Sequence, residues 1–188
     1  MSAALPQRVV TPDEQFSIEQ FYYYEARLLD GRQFKTWLTL LDPGIQYLMP
    51  SRVNTLVNNR DKGNESMLGI ERELEGTESM GCPLREENII HLTLRAERGY
   101  MINAWAENPP ARTRRIIGNV EVLESSAECY EVISNFHLYF SRPSSADFIY
   151  SGQRSDRLLK HADGFRLQRR EVIMDYALVE VPTMGLIF

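Results

Sequence analysis

Residues 152–175, GQRSDRLLKHADGFRLQRREVIMD, limit the fold of this chain more than any other stretch. Charged and apolar residues alternate through two runs, with Arg154, Asp156 and Leu158 along one side and Phe165, Leu167 and Arg169 on the return. Asp163-Gly164 lies between them, where the chain needs a residue that tolerates positive φ. The spacing predicts a β-hairpin, and residues 152–170 carry six Lys/Arg against two acids. Such a hairpin packs one face and offers the other as rigid guanidinium forks, so Arg154 and Arg169 are expected to meet a partner. The first expectation about function is therefore binding rather than a reaction the chain performs alone.

Upstream, the same alternation recurs over residues 114–124, 130–142 and 148–160, which with 165–175 predicts a four-stranded meander. The N-terminal third reads differently. Thr11-Pro12-Asp13-Glu14 combines a capping Thr, a Pro at the first helical position and a Glu that closes a capping box. Ile18, Phe21, Tyr22, Leu28 and Leu29 then recur at helical spacing until Asp30-Gly31. A short second helix is expected to carry Phe34, Trp37, Leu38 and Leu41 before Asp42-Pro43-Gly44, followed by a first strand over residues 45–50 at a sheet edge. Residues 51–81 read as a long loop with one or two helical turns, and Leu84, Ile89, Leu92, Leu94 and Ala96 as a third helix ending near Gly99. Helices first and strands after predict an α+β fold, a curved antiparallel sheet wrapped around N-terminal helices, as a single domain over residues 1–188. Phe21, Trp37, Phe136 and Leu138 are the expected core.

Composition narrows the partners. Net charge is −5, which disfavours a nucleic-acid partner, and no apolar run is long enough for a membrane span. Residues 61–90 hold eight Asp/Glu, so acidic and basic segments are separated along the chain. Cys82 and Cys129 form no ligand or redox motif and fit reduced thiols of a cytoplasmic protein. His91, His137 and His161 are far apart, so no metal or Rieske cluster is expected in this chain. Phosphate-binding glycine loops and nucleophile elbows are absent, and no catalytic or cofactor-binding residue is expected. One enzymatic alternative stays open. The mouth of a curved sheet can hold a small apolar ligand, and Tyr47, His137, Tyr139 and Asp175 would supply acid–base groups to a stand-alone lyase, isomerase or hydratase.

A second segment, Trp105 onward, reads WAENPPARTRRIIGN. Two prolines stiffen the approach to Arg112, Arg114 and Arg115, a density suited to pairing with carboxylates across an interface, with Trp105 as an anchor. Solvated strand-end arginines are the alternative.

These two segments together resemble the small (β) subunit of bacterial aromatic-ring-hydroxylating dioxygenases. The family pattern W-x-E-x-P-P-x-R-T-R-x-x-x-x-N-V is met by Trp105, Glu107, Pro109, Pro110, Arg112, Thr113, Arg114, Asn119 and Val120. Its closing hairpin is met by Gly152, Arg154, Asp156, Leu158, Gly164, Phe165, Leu167, Arg169, Arg170 and Asp175. The resemblance implies a cone-shaped fold like that of nuclear transport factor and ketosteroid isomerase, of the cystatin-like kind. It also implies a hexamer of three large and three small subunits. The large subunit would hold the Rieske [2Fe-2S] cluster and a mononuclear Fe(II), and the small one would be structural. Aromatic ring, O2 and NAD(P)H would yield a cis-dihydrodiol.

Overall fold

The computed structural model describes residues 9–57, 60, 62–76, 81–143, 146–180, 183 and 185–188. Helix α1 (Pro12–Asp30) starts on the capping box read from the sequence: the Thr11 side chain accepts from the Glu14 N–H, and the Glu14 carboxylate accepts from the Thr11 N–H. It is followed by α2 (Phe34–Leu38), β1 (Leu41–Met49), a short pair β2 (Ser51–Arg52) and β3 (Leu74–Glu75), β4 (Arg85–Glu87) and α3 (Ile89–Arg98). Four long strands close the chain: β5 (Arg112–Ser125), β6 (Cys129–Ser141), β7 (Phe148–His161) and β8 (Gly164–Met174).

The main sheet has the order β4-β1-β8-β7-β6-β5, and the helices pack on one face of it. The meander is antiparallel throughout, but β1 runs parallel to β8, so the sheet is mixed where the sequence pattern suggested antiparallel pairing alone. β1 is also not an edge strand. It begins at Leu41, before the Asp42-Pro43-Gly44 break, because that break is absorbed as an irregularity between Leu41 and Gln46 in the β8 register. Its far side pairs with β4, residues that had been read as the start of the third helix. Asn88 separates the two: its side chain caps the Ile90 and His91 N–H groups and starts α3 there. Among the described residues of the 53–73 stretch, 3-10 turns cover Glu65–Leu68 and Ile70–Glu73, in a segment read from the sequence as a loop with helical turns.

Between helices and sheet lies one contiguous core that includes Ile18, Phe21, Trp37, Phe136, Leu138, Phe140, Leu158 and Val172. Phe21, Trp37, Phe136 and Leu138 are all buried, as expected. Truncating Leu138 to Ala should cost about 2–5 kcal/mol, because neighbours fixed by the sheet ladder cannot close the void; equilibrium denaturation measures it.

Two glycines of the closing hairpin have structural reasons, one steric and one conformational. A Cβ on Gly152 would stand 2.4 Å from the Ile173 carbonyl oxygen and 3.0 Å from the Phe136 ring. Gly164 opens β8 at φ +128°, just after the two-residue turn Ala162-Asp163, which lies one position earlier than the Asp163-Gly164 turn read from the sequence.

The long edge strand β5 is protected by α1. The Asp30 carboxylate accepts from the Arg115 N–H at 2.8 Å, and the Gln15 side chain donates to the Val120 carbonyl at 2.9 Å. A bulge between Gly118 and Glu121, with Asn119 at φ +50°, bends the strand between these two points.

Candidate functional site

Two of the hairpin's five arginines, Arg154 and Arg170, go to the inside. Along β7 the residues facing the core are Tyr150, Gly152, Arg154, Asp156 and Leu158. On β8 a bulge inserts Gln168 between Leu167 and Arg169, since Arg157 pairs with Arg169 while Leu158 pairs with Leu167. The extra residue reverses the alternation, turning Arg169 outward and Arg170 inward. Arg170 and Asp156 then meet Glu25, which α1 presents from its buried stripe.

This buried cluster is closely satisfied. The Arg170 guanidinium donates to both Glu25 oxygens at 2.8 and 2.9 Å and to both Asp156 oxygens at 2.9 and 2.7 Å. The Trp37 indole N–H donates to Glu25, and the Tyr22 hydroxyl to Asp156. Arg154 lies 3.5 Å from Glu25 and stacks 5.0 Å over the Phe136 ring, with Nε and Nη2 unbonded among the described residues. Burial pushes the Glu25 carboxyl up, but Arg170 and Arg154 together outweigh it and hold the group at about 2. Burial and then the neighbouring Arg170 charge lower Arg154 to about 10. Burial and the Asp156 carboxylate push the Tyr22 hydroxyl well above its ordinary value. Two acids and two arginines neutralise one another here, a set that fixes α1 on the sheet.

Arg154 is therefore turned away from any partner, contrary to the expectation that it faces one. Arg115 is corrected in the same way: it is buried, held at 2.5 Å by Asp30, and donates to the Ile187 carbonyl. Those two acids, Glu25 and Asp30, were missed in the sequence although Glu25 stands in the Ile18–Phe21–Tyr22–Leu28–Leu29 stripe. An acid at a core position of an amphipathic helix signals a buried cation opposite.

The mouth of the sheet is filled by the chain itself. Leu186, Ile187 and Phe188 are buried, without ladder pairing. Their carbonyl oxygens accept in turn from Arg85 (2.7 Å), Arg115 (2.6 Å) and Tyr47 (3.0 Å). The Phe188 ring packs edge-on to Tyr150 and tilted on Phe136, with the Arg85 guanidinium over it. Glu107 holds the approach, accepting from the Thr183 hydroxyl and the Gly185 N–H. Of the four residues proposed for cavity chemistry, only Tyr47 points inward, and its hydroxyl is taken by Phe188. His137 and Tyr139 lie on the opposite, exposed face of β6, where the Tyr139 hydroxyl donates to Asp147, and Asp175 accepts from Ser151 at the surface. The four do not converge.

What remains exposed gathers at one end of that outer face. Arg114, Tyr139 and Ile149 stand side by side across β5, β6 and β7, next to the Ile116–His137–Ser151 row. Ile116 and Ile149 are more than 60% exposed and Tyr139 is 42% exposed. Arg112 pairs with Ser141, and Arg142 beyond it donates to the carbonyls of Trp105 and Asn108. That brings Trp105, 78% exposed, to the end of the same strands. Arg112 and Arg114 are exposed and have no ion pair among the described residues. Trp, Tyr, Ile and unpaired Arg side chains thus stand exposed together at one end of the sheet, residue types from which protein contacts are commonly built. Arg169 belongs elsewhere. It stands opposite Arg157, eight residues along β7 from Ile149, so about 26 Å away. There it lines a groove with Gln46, Glu86 and His91 and lies 3.7 Å from Glu171.

A family model of the ring hydroxylating beta subunit matches residues 24–181. The chain belongs to that family. The benzene 1,2-dioxygenase subunit beta of Pseudomonas putida is 30% identical over 182 residues, covering 95% of this chain and 91% of its own. The 3-phenylpropionate/cinnamic acid dioxygenase subunit beta of Photorhabdus laumondii is also 30% identical, over 95% and 94% of the two chains. Among solved structures, a naphthalene 1,2-dioxygenase chain superposes with a TM-score of 0.74 at 21% identity, over 94% of this chain and 86% of that one. A putative scytalone dehydratase from Novosphingobium aromaticivorans reaches 0.52 at 16% identity, over 94% and 96%. Both show the fold alone. In this subunit, the family pattern residues Glu107, Thr113, Gly152, Arg154, Asp156 and Arg170 serve the closed interior: Thr113 donates to Asp30, and the others hold the tail, the strand approach or the ion cluster.

Proposed function

We propose that the chain is the structural, non-catalytic small subunit of a multicomponent dioxygenase that adds both atoms of O2 to an aromatic ring, giving a cis-dihydrodiol with electrons from NAD(P)H. Membership of the β-subunit family along most of the chain carries this reading. The filled cone and the dispersal of Tyr47, His137, Tyr139 and Asp175 support it. A large subunit would hold the Rieske [2Fe-2S] cluster and the mononuclear Fe(II). Among the described residues of this chain, no group of three His, Cys, Asp or Glu is placed to hold a metal ion, and no helix is long and apolar enough to cross a membrane.

The assembly we infer has three large and three small subunits and works in the cytoplasm. Trp105, Arg112, Arg114 and Arg169 are exposed for subunit contacts; Arg115 and Arg154 are withdrawn from that role by burial. The test is partition of iron and turnover. Purified alone, the chain should show neither Rieske absorption nor stoichiometric iron, and ring dihydroxylation should appear only with the large subunit present. About one tightly bound iron per chain, or dihydroxylation by this chain without the large subunit, would contradict the proposal.

A further inference from the structure

We propose that the space filled by Leu186–Phe188 is a binding site for a small aromatic carboxylate, and that this tail is its intramolecular occupant. The inference goes beyond the subunit reading and asks for no reaction.

The tail is held as a ligand would be held. It adds no strand to the sheet, and its three carbonyl oxygens meet separate donors on β4, β5 and β1. The Phe188 ring packs against Phe136 and Tyr150, with the Arg85 guanidinium 5.6 Å from its centre. A pocket walled by Leu29, Phe34, Phe140 and Arg115 adjoins Leu186 and Ile187, so a small molecule reaches the tail without opening the sheet.

Charge is what the tail leaves unmatched. The guanidiniums of Arg115, Arg154 and Arg170 face the carboxylates of Asp30, Glu25 and Asp156. Arg85 has no acid among the described residues, since Glu87, on the same side of β4, is taken by Arg95. What Arg85 meets instead is the neutral Leu186 carbonyl, at 2.7 Å. Nε of Arg115, with Nε and Nη2 of Arg154, also lacks an acceptor there although buried. A guanidinium withdrawn from water binds a carboxylate oxygen about twice as strongly as a neutral one. One ring with a carboxylate on a short arm therefore supplies what the tail supplies and the charge it lacks. Amines are repelled by the guanidiniums, and aliphatic acids forgo the ring contacts with Phe136, Tyr150 and Arg85.

Phenylacetate is the probe, with benzyl alcohol as its uncharged counterpart. Hydrogen exchange on the full wild-type chain reads the tail directly. Millimolar phenylacetate should speed exchange over residues 185–188 on the order of 10-fold, without speeding it in α1 or β5–β8, and benzyl alcohol should not. In F188A, where the competing ring is gone, phenylacetate should bind on the order of 100-fold more tightly than in wild type. Adding R85M to F188A should weaken that binding roughly 30-fold, because a charge-assisted bond is lost; circular dichroism confirms the fold of each variant. Three results would overturn the inference: wild-type tail exchange unmoved by phenylacetate, a folded F188A that binds no phenylacetate, or an F188A that takes phenylacetate and benzyl alcohol equally and keeps both when R85M is added. The last is the behaviour of a plain apolar hole.

Discussion

Replacing Arg170 by Met is expected to remove about 3–5 kcal/mol of folding stability, because it leaves two buried carboxylates with one distant cation. Arg170 is fully buried and makes four of the hydrogen bonds that Glu25 and Asp156 receive. Arg154 cannot replace it, since it reaches only Glu25, at 3.5 Å. The loss is a large part of the ~5–15 kcal/mol that holds a domain of ordinary stability. Urea unfolding at neutral pH measures it, and a loss below about 1 kcal/mol would mean that water or rearrangement compensates the acids. Removing Glu25, Asp156 and Arg170 together for apolar residues should cost less than removing Arg170 alone, since no charge is then stranded.

The same cluster sets an acid limit. The Glu25 carboxyl is held at about 2 in the folded chain against an ordinary 4.5. A depressed carboxylate stabilises fully above its unfolded value and loses that contribution as pH falls through the folded one. Stability from Glu25 should therefore decline between about pH 4.5 and 2. In R170M the decline should begin at higher pH, because burial, which pushes the group up, is then opposed only by Arg154 and the Trp37 hydrogen bond.

Replacing Phe188 by Ala should cost about 3–5 kcal/mol, the range for a fully buried aromatic side chain in a rigid setting. Its walls come from β1, β4, β6 and β7, through Tyr47, Arg85, Phe136 and Tyr150. None of these can follow the lost ring without breaking the sheet. The backbone oxygens of Leu186 and Ile187 keep their arginine donors in this variant, so the fold should survive while its denaturation midpoint falls. A change within about 0.5 kcal/mol, the range of a surface substitution, would show that the last residues are not part of the core.

Much of this fold was legible in the chain, and the failures have physical causes. The capping box of α1, the meander and the buried Phe21, Trp37, Phe136 and Leu138 follow from local chemistry and two periodicities. The parallel β1–β8 pairing does not, because a strand's neighbour is set by packing across the whole molecule. Arg85–Glu87 was read as helix because three residues are too few to display a period of two. The largest error concerned the arginines. Alternation places Arg154, Asp156 and Leu158 on one face correctly, but charge suggests that face is wet. It is dry because Glu25 waits on α1, and that acid in an apolar stripe was the available signal. The Gln168 bulge, which exchanges Arg169 for Arg170, leaves no mark in residue type. Arg112, Arg114 and Trp105 were read in a direction the structure permits, since all three are exposed at one end of the sheet.

Native mass spectrometry of this chain co-expressed with its large subunit tests the central claim most directly. The account predicts one dominant complex containing equal numbers of large and small chains, three of each, with iron and sulfide mass confined to the large subunits after dissociation. A large subunit that assembles and turns over without retaining this chain would contradict it.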